Sequence, residues 1–151
     1  MHLTGRYPPW WDGLRFHKPI ICICGSESSD LTRDGIQRIL VGPPTEEAAW
    51  GTGFIPSDAV LEYNRKMGAP NCLDSINVRH NAGGASVVMF KSYEQGRGKW
   101  QASTVDLVWF DEEPPMDIYS EGRTRTMATG GSVIITSTLL PTLAFRSIIM
   151  A

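Results

Sequence analysis

Three acids in a row, Asp111, Glu112 and Glu113, sit inside the string "STVDLVWFDEEPPMD" (103–117). They follow four apolar residues, Leu107 to Phe110, and precede two prolines. A buried strand that ends in Asp-Glu has a physical use in nucleotide hydrolysis. The strand fixes the first carboxylate rigidly at the sheet edge, where it can hold Mg²⁺ among phosphates. The second carboxylate projects further and can take a proton from an attacking water. In that reading Asp111 is the metal acid and Glu112 the general base. A solvated acidic turn after a buried strand has the same composition, so the string alone leaves both readings open. Glu113, just ahead of Pro114, reads as an acid at a helix N-terminus, favoured by the helix dipole.

Such a pair of acids works only beside a phosphate cradle, whose pattern is G-x-x-x-x-G-K-[ST]. "YEQGRGKW" (93–100) comes nearest to it. Tyr93 stands where the first glycine belongs, and Trp100 where Ser or Thr should follow Lys99. No other Gly-Lys pair exists in the chain. The metal half of a nucleotide site is therefore present and the phosphate half is absent. Arg97 and Lys99 then read as cations of a solvated loop, and Arg123 and Arg125 as partners of Glu121 or of solvent. Trp10 and Trp11 read as packing under an N-terminal loop rather than as a platform for bases. His2, His17 and His80 have no acid or Ser partner at triad spacing, which leaves nucleophilic catalysis without support.

The elements that must position the acids are legible as a pattern. "PIICIC" (19–24) is a β-prone run suited to a strand buried on both faces. Cys22 and Cys24, two apart, share one side of it and read as small core residues. "LTRDGIQRILVG" (31–42) predicts a helix with Leu31, Ile36, Ile39 and Leu40 inward, stopped by Gly42 and Pro43. "SDAVLEYNRKMG" (57–68) predicts a short helix capped by Ser57 and ended by Gly68. Residues 76–80 and 85–90 predict a β-hairpin around Asn81 to Gly84. The segment 93–103 is a polar connector with room for one helical turn. Residues 104–110 predict a second buried strand, 114–130 a helix opened by Pro and closed by Gly130, and 132–138 a third strand. This order predicts an α/β fold with a mainly parallel sheet and an antiparallel hairpin inserted. Ligands of such sheets sit beyond the carboxyl ends of the strands, so Asp111 and Thr136 to Thr138 are expected on one rim.

Bulk properties narrow the class further. The chain has 151 residues, 42% of them apolar, which is one domain with a real core. Its net charge of −2, evenly mixed, provides no basic stripe for nucleic acid. Three cysteines, an odd number, fit free thiols in a reducing compartment, and with His17 and His80 they lack zinc-finger spacing. No window reads as a transmembrane span or a signal peptide.

Joined together, "MFKSYEQGRGKWQASTVDLVWFDEEPPMDIYSEGRTRT" (89–126) resembles the ATPase domain of the large terminase subunit of tailed bacteriophages. "HLTGRYPPWWDG" (2–13) resembles the segment after that family's phosphate-loop helix, and "CGSESSDLTRDGIQRILVG" (24–42) its next strand and helix. The resemblance covers about residues 2–138. It implies a P-loop NTPase fold of the additional-strand, RecA-like type, using ATP and Mg²⁺. It implies a ring of large subunits on a viral portal protein, working with a small terminase subunit to drive phage DNA into a procapsid in the bacterial cytoplasm, away from membranes. By that resemblance Asp111 is the Mg²⁺ acid, Glu112 the catalytic base, and Thr136, Ser137 and Thr138 the coupling motif that senses the terminal phosphate. Three departures accompany it. The phosphate loop is missing, the nuclease domain that normally follows is missing, and Leu139 replaces the proline that usually ends the coupling motif. The expectation is thus a partial ATPase domain over 1–138 with a divergent apolar tail over 139–151, inactive by itself. The alternative is a non-catalytic remnant, of the kind a decaying prophage leaves, or a binding fragment.

Overall fold

The computed structural model describes residues 1–101 and 104–138, and the tail expected over 139–151 lies outside the described residues. One sheet organises the chain. Its strands are β1 (Ile21–Ser26), β2 (Val60–Arg65), β3 (Leu73–Arg79), β4 (Ala85–Ser92), β5 (Leu107–Asp111) and β6 (Ser132–Thr136). They lie in the order β2-β3-β4-β1-β5-β6. β4, β1, β5 and β6 run parallel, while β2–β3 and β3–β4 are antiparallel, so the sheet is mixed. The strands predicted over 19–24, 104–110 and 132–138 are neighbours in that sheet. Cys22 and Cys24 of β1 face one core and Ile23 faces the other, as expected of a strand covered on both sides. The hairpin is β3–β4, paired as far as Arg79 with Ala85. Its turn bends through Gly83 and Gly84 at φ +95° and +79°, values at which a side chain would be strained.

The helix after β1, α1, is one continuous rod in three parts: Ser29–Thr32, a π-turn at Arg33–Gln37, and Arg38–Val41. The Ser28 hydroxyl caps it by accepting from Leu31 N at 3.1 Å. The π-turn inserts one residue into the helical repeat and turns a different face to the sheet. Thr32, Ile36, Gln37 and Val41 are buried, whereas Leu31 and Ile39 are 50% and 44% exposed. Two of the four residues expected inward therefore point out. Gln37 has a reason to be inside: its amide donates to Asn71 O and accepts from Leu73 N, anchoring the start of β3.

The helix expected over 57–68 is absent. Ser57–Ala59 makes a single 3-10 turn, and the chain continues as β2. Val60, Leu61 and Tyr63 are strand-favouring residues, and pairing with β3 outweighs the Ser and Gly punctuation around them. α2 spans Met116–Met127, with Pro115 as its N-cap. Asp117, not Glu113, is the acid of its first turn. Gly122 lets this helix sit close to β5, since a Cβ there would lie 2.8 Å from the Phe110 ring.

α1 covers one face of the sheet, packing Ile36 and Val41 with Cys22, Cys24 and Phe90. α2 and the connector cover the other, where Ile118, Tyr93 and Trp100 meet Val108 and Phe110. In the N-terminal segment the His2 ring packs edge-on against Tyr7, Trp11 and Phe16. Trp10 is 74% exposed, so the expected burial of the Trp10–Trp11 pair fails for the first of the two. Among the described residues no helix is long and apolar enough to cross a membrane.

Candidate functional site

Because β4, β1, β5 and β6 are parallel, their carboxyl ends share one rim, and Asp111 of β5 lies opposite Thr136 of β6. Thr136 Oγ1 donates to Asp111 Oδ1 at 3.0 Å and accepts from the Trp109 indole at 2.8 Å. Two residues on, Thr138 Oγ1 donates to Glu112 Oε1 at 3.1 Å. Both acids are thus oriented by hydroxyls of the same neighbouring segment. Ser137 lies between those threonines and joins neither acid. Its Oγ is buried without a hydrogen-bond partner among the described residues. Of the five residues proposed from sequence, four meet at this rim in two acid–hydroxyl pairs.

Glu112 leaves the strand with φ +66°, a left-handed conformation that disfavours a residue with a Cβ by about 1–2 kcal/mol. Its N–H still donates to Thr136 O at 2.6 Å. From below, the Tyr93 hydroxyl lies 3.0 Å from Asp111 O and 2.8 Å from Glu112 O. Burial, and then the nearby Asp111, Glu112 and Glu27 carboxylates, push the Tyr93 phenol well above its ordinary pKa. The phenol therefore keeps its proton and remains a donor to these carbonyls.

The tempting "YEQGRGKW" stretch forms no phosphate cradle. It makes two 3-10 turns, Tyr93–Gln95 and Arg97–Trp100. Trp100, in the place a cradle reserves for Ser or Thr, is a core residue whose indole donates to Ser92 O at 3.0 Å. Arg97 is not simply solvated. Its guanidinium, 60% exposed, reaches the buried Glu121 at 2.9 Å, and Arg125 holds the other carboxylate oxygen at 2.7 Å. Hydrogen bonds from Arg125 and then Arg97 keep the Glu121 carboxyl below the usual carboxylate range. Lys99 and Arg123 are exposed.

The donor set on the rim is all oxygen: two carboxylates and two threonine hydroxyls. Such hard ligands suit Mg²⁺, which keeps several waters and takes one or two carboxylates from a protein. Among the described residues no group of three or more His, Cys, Asp or Glu is gathered for a cation. Asp111 Oδ2 faces Gly35 in the π-turn of α1, where a Cβ would sit 3.5 Å away and fill the space beside the carboxylate. Three members of this corner escaped the sequence reading: Tyr93, Trp109 and Gly35. The "SYEQGR" string pointed at the first without saying what it touches.

Fold and rim together define an α/β domain with paired acids at a strand end, and the comparisons assign it to a family. Residues 1–149 match the family described as terminase large subunit, T4likevirus-type, N-terminal, and the chain belongs to it. The large terminase subunit of Salmonella phage P22 is 38% identical over 156 residues, an alignment that covers 92% of this chain and 31% of that protein. The chain thus spans about a third of that relative's length. No solved structure matches the chain.

Proposed function

We propose that this chain supplies the metal- and water-handling half of the ATP-hydrolysing site of a phage DNA-packaging motor. The observation that carries this reading is the double tie across the rim, Thr136 to Asp111 and Thr138 to Glu112. It fixes two carboxylates at adjacent positions with different surroundings. Asp111 would hold Mg²⁺ through the oxygen beside Gly35, its other oxygen being taken by Thr136. When bound, the ion neutralises phosphate charge. Glu112 keeps Oε2 free of hydrogen bonds among the described residues, available to take the proton of an attacking water. Thr136 and Thr138, with Ser137 between them, would transmit the state of the terminal phosphate to β6.

The finer fold reading, a P-loop NTPase of the additional-strand type over residues 1–138, belongs to the same proposal. Its support is the sheet edge. Among the described residues β6 pairs only with β5, and Ile134 is 40% exposed on it. A strand leading into a phosphate loop has an open backbone edge there, one strand from Asp111. The partners follow from the motor: phage DNA, a portal protein, a small terminase subunit, and other large subunits in a ring. A second reading is a binding module without turnover.

Phosphate release separates the two. The 151-residue chain by itself is expected to show none above background, because the lysine and backbone donors for the phosphates are missing. Joined to a segment that supplies G-x-x-x-x-G-K-[ST], it should turn over ATP with Mg²⁺, and Glu112→Gln should lower that rate at least ~10²-fold while nucleotide still binds. Turnover indifferent to Glu112→Gln would remove the proposed base. No turnover in any such fusion would favour the binding module.

A further inference from the structure

The connector between β4 and β5 is fastened at three points. Trp100 is tied back to Ser92, Arg97 to Glu121 of α2, and Tyr93 to the two consecutive carbonyls of Asp111 and Glu112. The last contact passes over the top of β1, which lies between β4 and β5 in the sheet. It is also the contact made at the strained residue. With φ at +66°, Glu112 brings two successive carbonyl oxygens to one side of the chain, and one phenol reaches both. A phenol carries one proton, which the two acceptors share. Were Glu112 to continue in the extended, negative-φ backbone of the strand, the carbonyls would diverge and the Cα–Cβ bond would swing, carrying the carboxylate away from Thr138.

We propose that Tyr93 is the positioning residue of the acid corner: by gathering the carbonyls of Asp111 and Glu112 on its hydroxyl, it sets the direction in which the Glu112 carboxylate projects. The functional meaning of that direction rests on the reading of Glu112 as a base. The geometric claim stands by itself and is tested by itself. Tyr93 touches no reacting group; it acts through the backbone. Its ring is held in turn by Trp100 and Phe110, at centroid distances of 5.8 and 6.1 Å, so the hydroxyl sits on a rigid support.

The test is Tyr93→Phe in the whole 151-residue chain, followed by NMR at 25 °C with Mn²⁺ as the metal probe. The expected result has three parts. The Glu112 amide coupling and Cα shift move from left-handed to ordinary values, the Thr138 signals move with them, and Mn²⁺ affinity at Asp111 falls about 10-fold, as for loss of an outer-shell partner. Signals of Cys22 and Val133 stay in place. If the hydroxyl only adds stability, the urea midpoint drops while Glu112 and Thr138 stay unmoved, and the proposal is overturned. A second measurement covers a variant that folds poorly. The wild type sheds the strain at Glu112 when the hydroxyl is removed, whereas glycine adopts positive φ freely and has none to shed, so Tyr93→Phe should destabilise a Glu112→Gly chain more than the wild type. Equal losses in both backgrounds count against the positioning role. Mn²⁺ that fails to broaden Asp111 in the wild type would sink the metal reading, leaving the Glu112 signals to judge Tyr93 independently.

Discussion

The Trp109 indole donates to Thr136 Oγ1, and that same hydroxyl donates onward to Asp111. A threonine has one proton to give and lone pairs to receive, so the relay has a single direction: Trp109 to Thr136 to Asp111. The candidate metal acid is therefore steered by a tryptophan two residues before it on the same strand, through a side chain of the next strand.

Thr136→Val keeps the shape and removes both hydrogen bonds. The expected loss is about 1 kcal/mol of unfolding free energy in urea. The indole N–H resonance of Trp109 should move toward that of a solvent-bonded indole, and the Asp111 carboxylate should lose its fixed orientation. An unchanged Trp109 resonance would show that the relay is absent in solution.

Glu121 makes stability depend on pH in a predictable sense. Its folded pKa is depressed, so its contribution is complete above the unfolded value of about 4.3 and is lost as pH falls through the lower folded value. Arg97 and Arg125 remain partly in solvent, which limits the effect to about 1 kcal/mol. Unfolding curves from pH 7 down to about 2 should show wild type above Glu121→Gln by that margin near neutrality, with the two converging in acid. A difference that persists at the acid end would mean that the arginines are not what holds the residue.

Two glycines test the packing in opposite directions. A Cβ on Gly25 would stand 2.3 Å from the Lys91 carbonyl oxygen and 2.9 Å from the Trp100 ring, so Gly25→Ala forces β1 away from β4. The expected loss is on the order of 3 kcal/mol. Gly98 has nothing within 4 Å, and Gly98→Ala should stabilise by about 0.5 kcal/mol through the unfolded chain. Thermal melts of the two variants check both signs, and a Gly25→Ala chain melting like wild type would contradict the strand spacing described.

The sequence disclosed those elements in which one physical signal dominates. β1 and β5 are short apolar runs with no competing pattern, the β3–β4 turn has its two glycines, and the acids follow an unbroken strand. β2 was hidden because Ser57 and Gly68 carry helix punctuation while Val60, Leu61 and Tyr63 carry strand preference, and only β3, more than a dozen residues on, decides between them. The inward face of α1 was hidden because an ideal 3.6-residue repeat carries no sign of an inserted residue. At the rim, Asp111, Glu112, Thr136 and Thr138 were legible from type and spacing. Tyr93 was not, since its partners are main-chain carbonyls that every residue possesses. The positive φ of Glu112 was not, because no glycine or asparagine marks it.

The π-turn in α1 has a consequence for how this chain tolerates change in length. Removing any one residue from 33–37 would restore an unbroken α-helical ladder and yield, locally, a better helix. Everything after the deletion would then arrive rotated by about 100°. Val41 would leave the core, and the carbonyls of Ile39, Leu40 and Val41, which receive Phe54, Ile55, Gly51 and Gly53, would face elsewhere. A deletion at 33 or 34 would also turn Gly35 away from Asp111. The surplus residue thus acts as a phase-setter: a single-codon deletion that every local criterion rates as an improvement would put the two halves of the helix out of step with the sheet.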